Sequence, residues 1–159
     1  MNESNISLYA FRKYGDMVLR TAYACSGNYA EAEDITQDIF LLLHTKPVNF
    51  ESDEHLKAWL LKVAVNKCKN LKRSFRISHT QSLDETSEKL AYYNFESGES
   101  EIREKIRALP TKYSSVIYLY YYEGYKIHEI AKILGKNENT VSSLLQRGRQ
   151  KLKLELEES

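Results

Sequence analysis

The sequence predicts an all-α protein of two small helical domains joined by a flexible linker, the second domain carrying a helix-turn-helix. Three observations predict it. Only two prolines and six glycines interrupt 159 residues, which leaves long stretches free to be helical. Apolar residues recur at helical spacing in the first part of the chain and again from about residue 99. Between them, 76–98 is rich in Ser, Thr, Asp and Glu. The chain therefore divides into 1–75, 76–98 and 99–159.

The first helix is expected over Leu8–Ala24, with Phe11, Val18, Leu19 and Ala22 on its apolar side. Gly27-Asn28 is a turn signal, and a second helix starts near Ala30 with Ile35, Ile39, Leu42 and Leu43 inward. Pro47 lies beyond its end. After a loop, Ser52 or Asp53 caps a third helix whose core stripe is Leu60, Val63, Ala64 and Leu71. The linker contains one aromatic run, Ala91-Tyr92-Tyr93-Asn94-Phe95, which fits a short packed helix or a docking segment. Ile102, Ile106 and Leu109 open the second domain. Pro110 starts the next helix, about Tyr113–Tyr122, with Val116, Ile117 and Tyr120 inward and Glu123-Gly124 ending it.

Composition excludes several functions. No apolar run approaches the roughly 18 residues of a membrane span. The first residues, Met1–Asn5, lack the basic-then-apolar order of a signal peptide, so a cytoplasmic chain is expected. Cys25 and Cys68 form no C-x-x-C pair and read as reduced thiols. His44, His55, His79 and His128 are scattered, with no nucleophile–base spacing or phosphate loop, so neither an enzyme nor a cofactor or metal is expected. Net charge is only +1, but it is segregated. Lys57–Arg76 holds seven bases and no acid, and Ala30–Phe40 holds four acids and no base. Such segregation fits different surfaces for different partners.

The firmest motif is Ile127–Lys153. A helix of about Lys126–Leu134 would turn Ile127, Ile130, Ala131 and Leu134 inward. Ala131 is small enough for a steep helix crossing, and Gly135 tolerates positive φ in the turn. Asn137 can cap a second helix held by Val141 and Leu144. That helix would enter a DNA major groove and offer Asn139, Thr140, Ser142, Ser143, Gln146 and Arg147 to the bases. Arg149 and Lys151 suit phosphates instead. A solvated polar face would explain the Ser and Lys residues, but explains less well the absence of acids between Asn139 and Lys153.

Two upstream stripes add to this. Trp59, Lys62, Asn66, Asn70 and Arg73 share one side of the third helix, beside its core stripe. An aromatic ring among cations is what single-stranded nucleic acid stacks on, although a Trp capping the core is the plain alternative. The loop Val48–Ser52, including Phe50, could shape a pocket for an unstacked base. Asp34, Gln37, Asp38 and Leu41 form an acidic stripe with an outward Leu, which suits a basic protein partner or is simply a solvated face.

At this point the residues resemble a family. Gly27–Phe40, with its Ala30-Glu31-Ala32-Glu33-Asp34-Ile35-Thr36-Gln37 run, resembles region 2.1–2.2 of bacterial sigma-70 family factors. Trp59–Asn66 resembles region 2.3–2.4, and Leu109–Leu152 resembles region 4. With these two regions alone, the chain is similar to the extracytoplasmic-function, or group IV, type. The resemblance implies that the region 2.2 helix binds the β′ clamp helices of core RNA polymerase through Asp34, Gln37, Asp38 and Leu41. It implies capture of the melted −10 strand by the loop from Val48 and by the Trp59, Lys62, Asn66 stripe. It implies that Ser142, Ser143, Gln146 and Arg147 read the −35 duplex. It further implies a β-flap contact around Val116–Tyr122 and an anti-sigma factor as a partner. Ser142 stands where the family often has Arg, and Gln146 where a basic or aromatic residue is common. The competing reading is an autonomous regulator that binds a palindromic operator as a dimer. Such a regulator has no need of the acidic and Trp stripes.

Overall fold

In a computed structural model, the described residues are 6–46, 49–78 and 100–158, with side chains for 6–46, 49–71 and 101–154. They form α1 (Ile6–Ser26), α2 (Tyr29–Thr45), α3 (Asp53–Ser78), α4 (Ser100–Ala108), α5 (Thr111–Tyr121), α6 (Ile127–Leu134) and α7 (Glu138–Glu158), with no strand among them. The aromatic run Ala91–Phe95 lies outside the described residues.

The first three helices make a bundle. Gly27 takes φ 79°, and the Asn28 side chain accepts from the Glu31 N–H at 3.0 Å, so the chain reverses in two residues. The α1–α2 pair is antiparallel: Phe11 meets Phe40 edge-on at one end, and Tyr23 meets Tyr29 at the other. At the start of α3 the Ser52 hydroxyl accepts from the His55 N–H at 3.1 Å and supplies the cap. Asp53 instead accepts from the Tyr9 hydroxyl and pairs with Lys13, tying α3 to α1. Further along, the Cys68 thiol donates to the Ala22 carbonyl, so α3 runs parallel to α1.

The core is wider than periodicity indicated. Ile35, Ile39, Leu43, Leu60 and Ala64 are buried as expected, and Leu56, Leu61 and Cys68 join them. Phe11, expected inward, is 55% exposed. Ala10, Tyr14, Met17 and Val18 are buried instead, and the Phe11 ring meets Phe40 edge-on at 5.3 Å. Ile102 is likewise exposed, because α4 is anchored by Ile106 and Leu109.

The second unit is built on α5, buried along most of its length. α7 crosses it closely at Gly148, where a Cβ would stand 2.9 Å from Ile117 Cδ1. A Cβ there would require the end of the Ile117 side chain to shift, with Tyr113 Cβ also within 3.3 Å. The two units also pack on each other into one continuous core. Arg107 lies over the Tyr23 ring at 4.5 Å, and Lys57 faces the Tyr125 ring at 5.2 Å. Burial pushes the Arg107 guanidinium pKa down and the Tyr23 phenol pKa up. A cation over an aromatic face recovers part of that desolvation cost.

Candidate nucleic-acid and polymerase interfaces

The helix-turn-helix forms from short-range signals. The Glu129 carboxylate accepts from the Lys126 N–H at 2.9 Å and starts α6. Gly135 ends it in the left-handed region at φ 67°. The Asn137 side chain then accepts from the Thr140 N–H at 2.7 Å and starts α7. Ile130 and Ala131 are buried, Ile127 and Leu134 are half-buried, and Ile133 is buried although periodicity did not single it out. Val141, Leu144 and Leu145 fix α7 to the core. Leu145 was missed because it adjoins Leu144 and widens the apolar stripe.

With α7 held by that face, Asn139, Thr140, Ser142, Ser143, Gln146, Arg147 and Arg149 are all exposed. This surface carries two arginines and no acid between Asn139 and Lys153. Arg149 donates to the Tyr121 hydroxyl at 3.0 Å.

On α2, Asp34, Gln37, Asp38 and Leu41 are exposed together, opposite the buried Ile35, Ile39 and Leu43. Leu41 is 61% exposed, a large apolar side chain set among carboxylates.

On α3, Lys62, Asn66 and Asn70 are exposed in a row, with Trp59 half-buried at its head. Arg73 continues the helix, and its side chain lies outside the described residues, as does Val48. Phe50 meets the Trp59 ring at 5.6 Å and the His55 ring at 5.3 Å, both edge-to-face. His55 is an addition to the sequence reading; its position four residues before Trp59 was the available signal. The Glu51 N–H donates to His55 Nδ1, which fixes the loop against the helix. This aromatic group borders an open groove of about 820 Å³ between α3 and α6. Trp59, Lys62 and Glu54 line one wall, and Tyr125, His128 and Lys132 the other.

Residues Val116–Leu119, to which the resemblance assigned a polymerase contact, are buried within the protein. Only the Tyr120–Tyr122 end of that segment reaches the surface. The apolar face was consumed by packing of α5 against its neighbours.

An all-helical, two-unit chain with a capped helix-turn-helix and a separate acidic face defines a class of helix-turn-helix DNA-binding proteins. Comparison with known proteins narrows it. Residues 10–76 match the model for sigma-70 region 2, and residues 99–152 match that for sigma-70 region 4. The chain is 27% identical over 151 residues to the ECF RNA polymerase sigma factor SigE of Mycolicibacterium smegmatis. That match covers 89% of this chain and spans 58% of the length of SigE. It is 28% identical over 159 residues to the ECF RNA polymerase sigma factor SigW of Bacillus subtilis, covering 90% of this chain and 84% of SigW. Its fold is similar to that of the sigma factor RpoE in complex with the anti-sigma factor NepR from Bartonella quintana. That likeness has a TM-score of 0.70 at 19% identity and covers 96% of this chain and 98% of the other. The chain belongs to the sigma-70 family, as a member of its extracytoplasmic-function group.

Proposed function

We propose that this chain directs RNA polymerase to promoters and supports strand opening there, and that it acts in the cytoplasm without chemistry of its own. The observation that carries the reading is the separation of three exposed surfaces on one chain, each with its own chemistry. The acidic α2 face around Leu41 is suited to a basic protein surface, assigned here to the β′ clamp helices. The Phe50, Trp59, Lys62, Asn66, Asn70 row, extended by Arg73, is assigned to the melted −10 strand. There the indole offers a stacking plane and the cations follow the backbone. The α7 face from Asn139 to Arg149 is assigned to the −35 duplex. Gln146 and Arg147 have the donor and acceptor geometry for base edges. Within Val116–Tyr122, Tyr120 and Tyr122 are the part left for the β flap, Tyr121 being turned toward Arg149 of α7.

The fold shared with a sigma factor held by an anti-sigma factor supports assigning this chain a partner of that kind. The groove between α3 and α6 is the concave surface suited to receive it.

The test is run-off transcription with purified core polymerase on a promoter library. A set of transcripts sharing −35 and −10 sequences, absent without the chain, is the expected result. An active core that gives no promoter-specific transcript would sink the assignment. A stable dimer that binds a palindromic duplex without polymerase would replace it with an autonomous regulator.

A further inference from the structure

Among the exposed residues of α7, Arg149 is held by a side-chain hydrogen bond to another helix. It lies three residues after Gln146 and seven after Ser142, so it continues their side of the helix toward α5. There it donates to the hydroxyl of Tyr121, which is 51% exposed near the end of α5. Tyr121 in turn packs edge-on against Tyr120 at 4.9 Å, which holds the phenol in place. Among the described residues no carboxylate pairs with Arg149. The phenol oxygen accepts from Arg149 and keeps its own O–H to donate. The guanidinium uses one of its N–H groups and keeps the others.

We propose that Tyr121 and Arg149 together form a clamp for one DNA backbone phosphate at the edge of the groove that α7 enters. The inference rests on the DNA-docking reading of α7 and adds a positioning residue from a different helix. Tyr121 holds the guanidinium on the flank of the reading face, away from the bases, and gives the phosphate a further donor. It thereby fixes the register in which Ser142 and Gln146 meet base edges. A free Arg side chain would have to be immobilised on binding; one already tied to a phenol loses less entropy.

The test uses holoenzyme assembled from the full chain and core polymerase, with a promoter duplex recovered from the run-off experiment, titrated over a salt series. Arg149→Ala is expected to weaken binding and to make the slope of log affinity against log salt shallower by about 0.9. Tyr121→Phe removes one oxygen and no charge. It is expected to weaken binding about three- to tenfold with the salt slope unchanged. In the Arg149→Ala background, Tyr121→Phe is expected to cost less than it does in the parent, the signature of residues acting as a unit. Equal melting temperatures for parent and Tyr121→Phe exclude loss of fold. Unchanged affinity for Tyr121→Phe, or full additivity with Arg149→Ala, overturns the clamp alone. If Gln146→Ala, Arg147→Ala and Arg149→Ala all bind as the parent does, the DNA reading of α7 fails and the clamp fails with it.

Discussion

The Thr111 hydroxyl donates a buried 3.1 Å hydrogen bond to the Cys25 carbonyl. It joins the first turn of α5 to the last turn of α1 across 86 positions of sequence. The carbonyl belongs to the end of a helix, where no backbone donor follows to satisfy it. Thr111→Val keeps the shape and removes the donor. Leaving that buried carbonyl unpaired should cost about 1–3 kcal/mol. Urea denaturation of parent and variant measures it, and a difference near zero would mean that water reaches the carbonyl.

Gly27 sits beside the same junction, with φ +79° and space for a Cβ only 2.9 Å from the Arg107 carbonyl oxygen. Gly124 has nearly the same backbone, φ +74°, but open space around it. Each Gly→Ala change incurs the left-handed strain of about 1 kcal/mol. Only Gly27→Ala also pushes α4 from α1. The prediction is a larger loss of melting temperature for Gly27→Ala, with a larger hydrodynamic radius. Matching losses at both positions would show that the junction yields freely.

The acidic stripe is tested by reversing one charge. Asp38 is exposed, so Asp38→Arg should leave the unfolding free energy within about half a kcal/mol of the parent. It should weaken core polymerase binding by more than about tenfold, because like charges then face each other across the interface. Fluorescence titration of labelled chain with core measures both affinities, and equal values would remove α2 from that interface.

Trp59→Ala separates strand capture from duplex docking. Loss of one stacking plane is worth about 1–3 kcal/mol. Permanganate reactivity of the opened promoter should fall accordingly, while affinity for closed duplex stays at the parental value. Equal loss in both measurements contradicts a single-strand role. Trp59 is half-buried beside Phe50, so a Trp59→Phe variant that keeps the packing serves as the fold control.

The Asp53–Lys13–Tyr9 tie gives a pH dependence of known sign. Its hydrogen bond with Lys13, then that with Tyr9, holds the Asp53 carboxyl below its ordinary 3.8. A group with a lowered folded-state pKa stabilises fully above the unfolded value, and that stability is lost as pH falls through the folded one. Lys13 is shifted up by the same contact, so its share is present below its ordinary value of 10.5 and is lost only on strong alkalinisation. Asp53→Asn should therefore flatten the thermal-stability profile on the acid side of 3.8, and a superimposable acid limb would refute the tie.

How much of this was legible in the sequence follows from the range of the interactions involved. The turn of the helix-turn-helix was readable to the residue: the Gly135 turn and the Asn137 cap act within four positions, so composition at those positions dictates them. The outward faces of α2 and α7 followed from periodicity alone, because a helix buried on one side exposes the other. Phe11 was misplaced because spacing gives the direction of a side chain but not how far the neighbouring helix extends over it. Val116–Leu119 kept an apolar signature that fits an interface or a core equally, and only packing against the other helices made it core. The junction at Thr111, Cys25, Gly27 and Arg107 left no local signal, since its partners lie some 80 or more positions apart. The sequence by itself determined the helices, their caps and their polar faces, all products of short-range geometry. Tertiary structure alone decided that the two units close on each other and that Tyr121 meets Arg149, because those contacts depend on how whole helices cross.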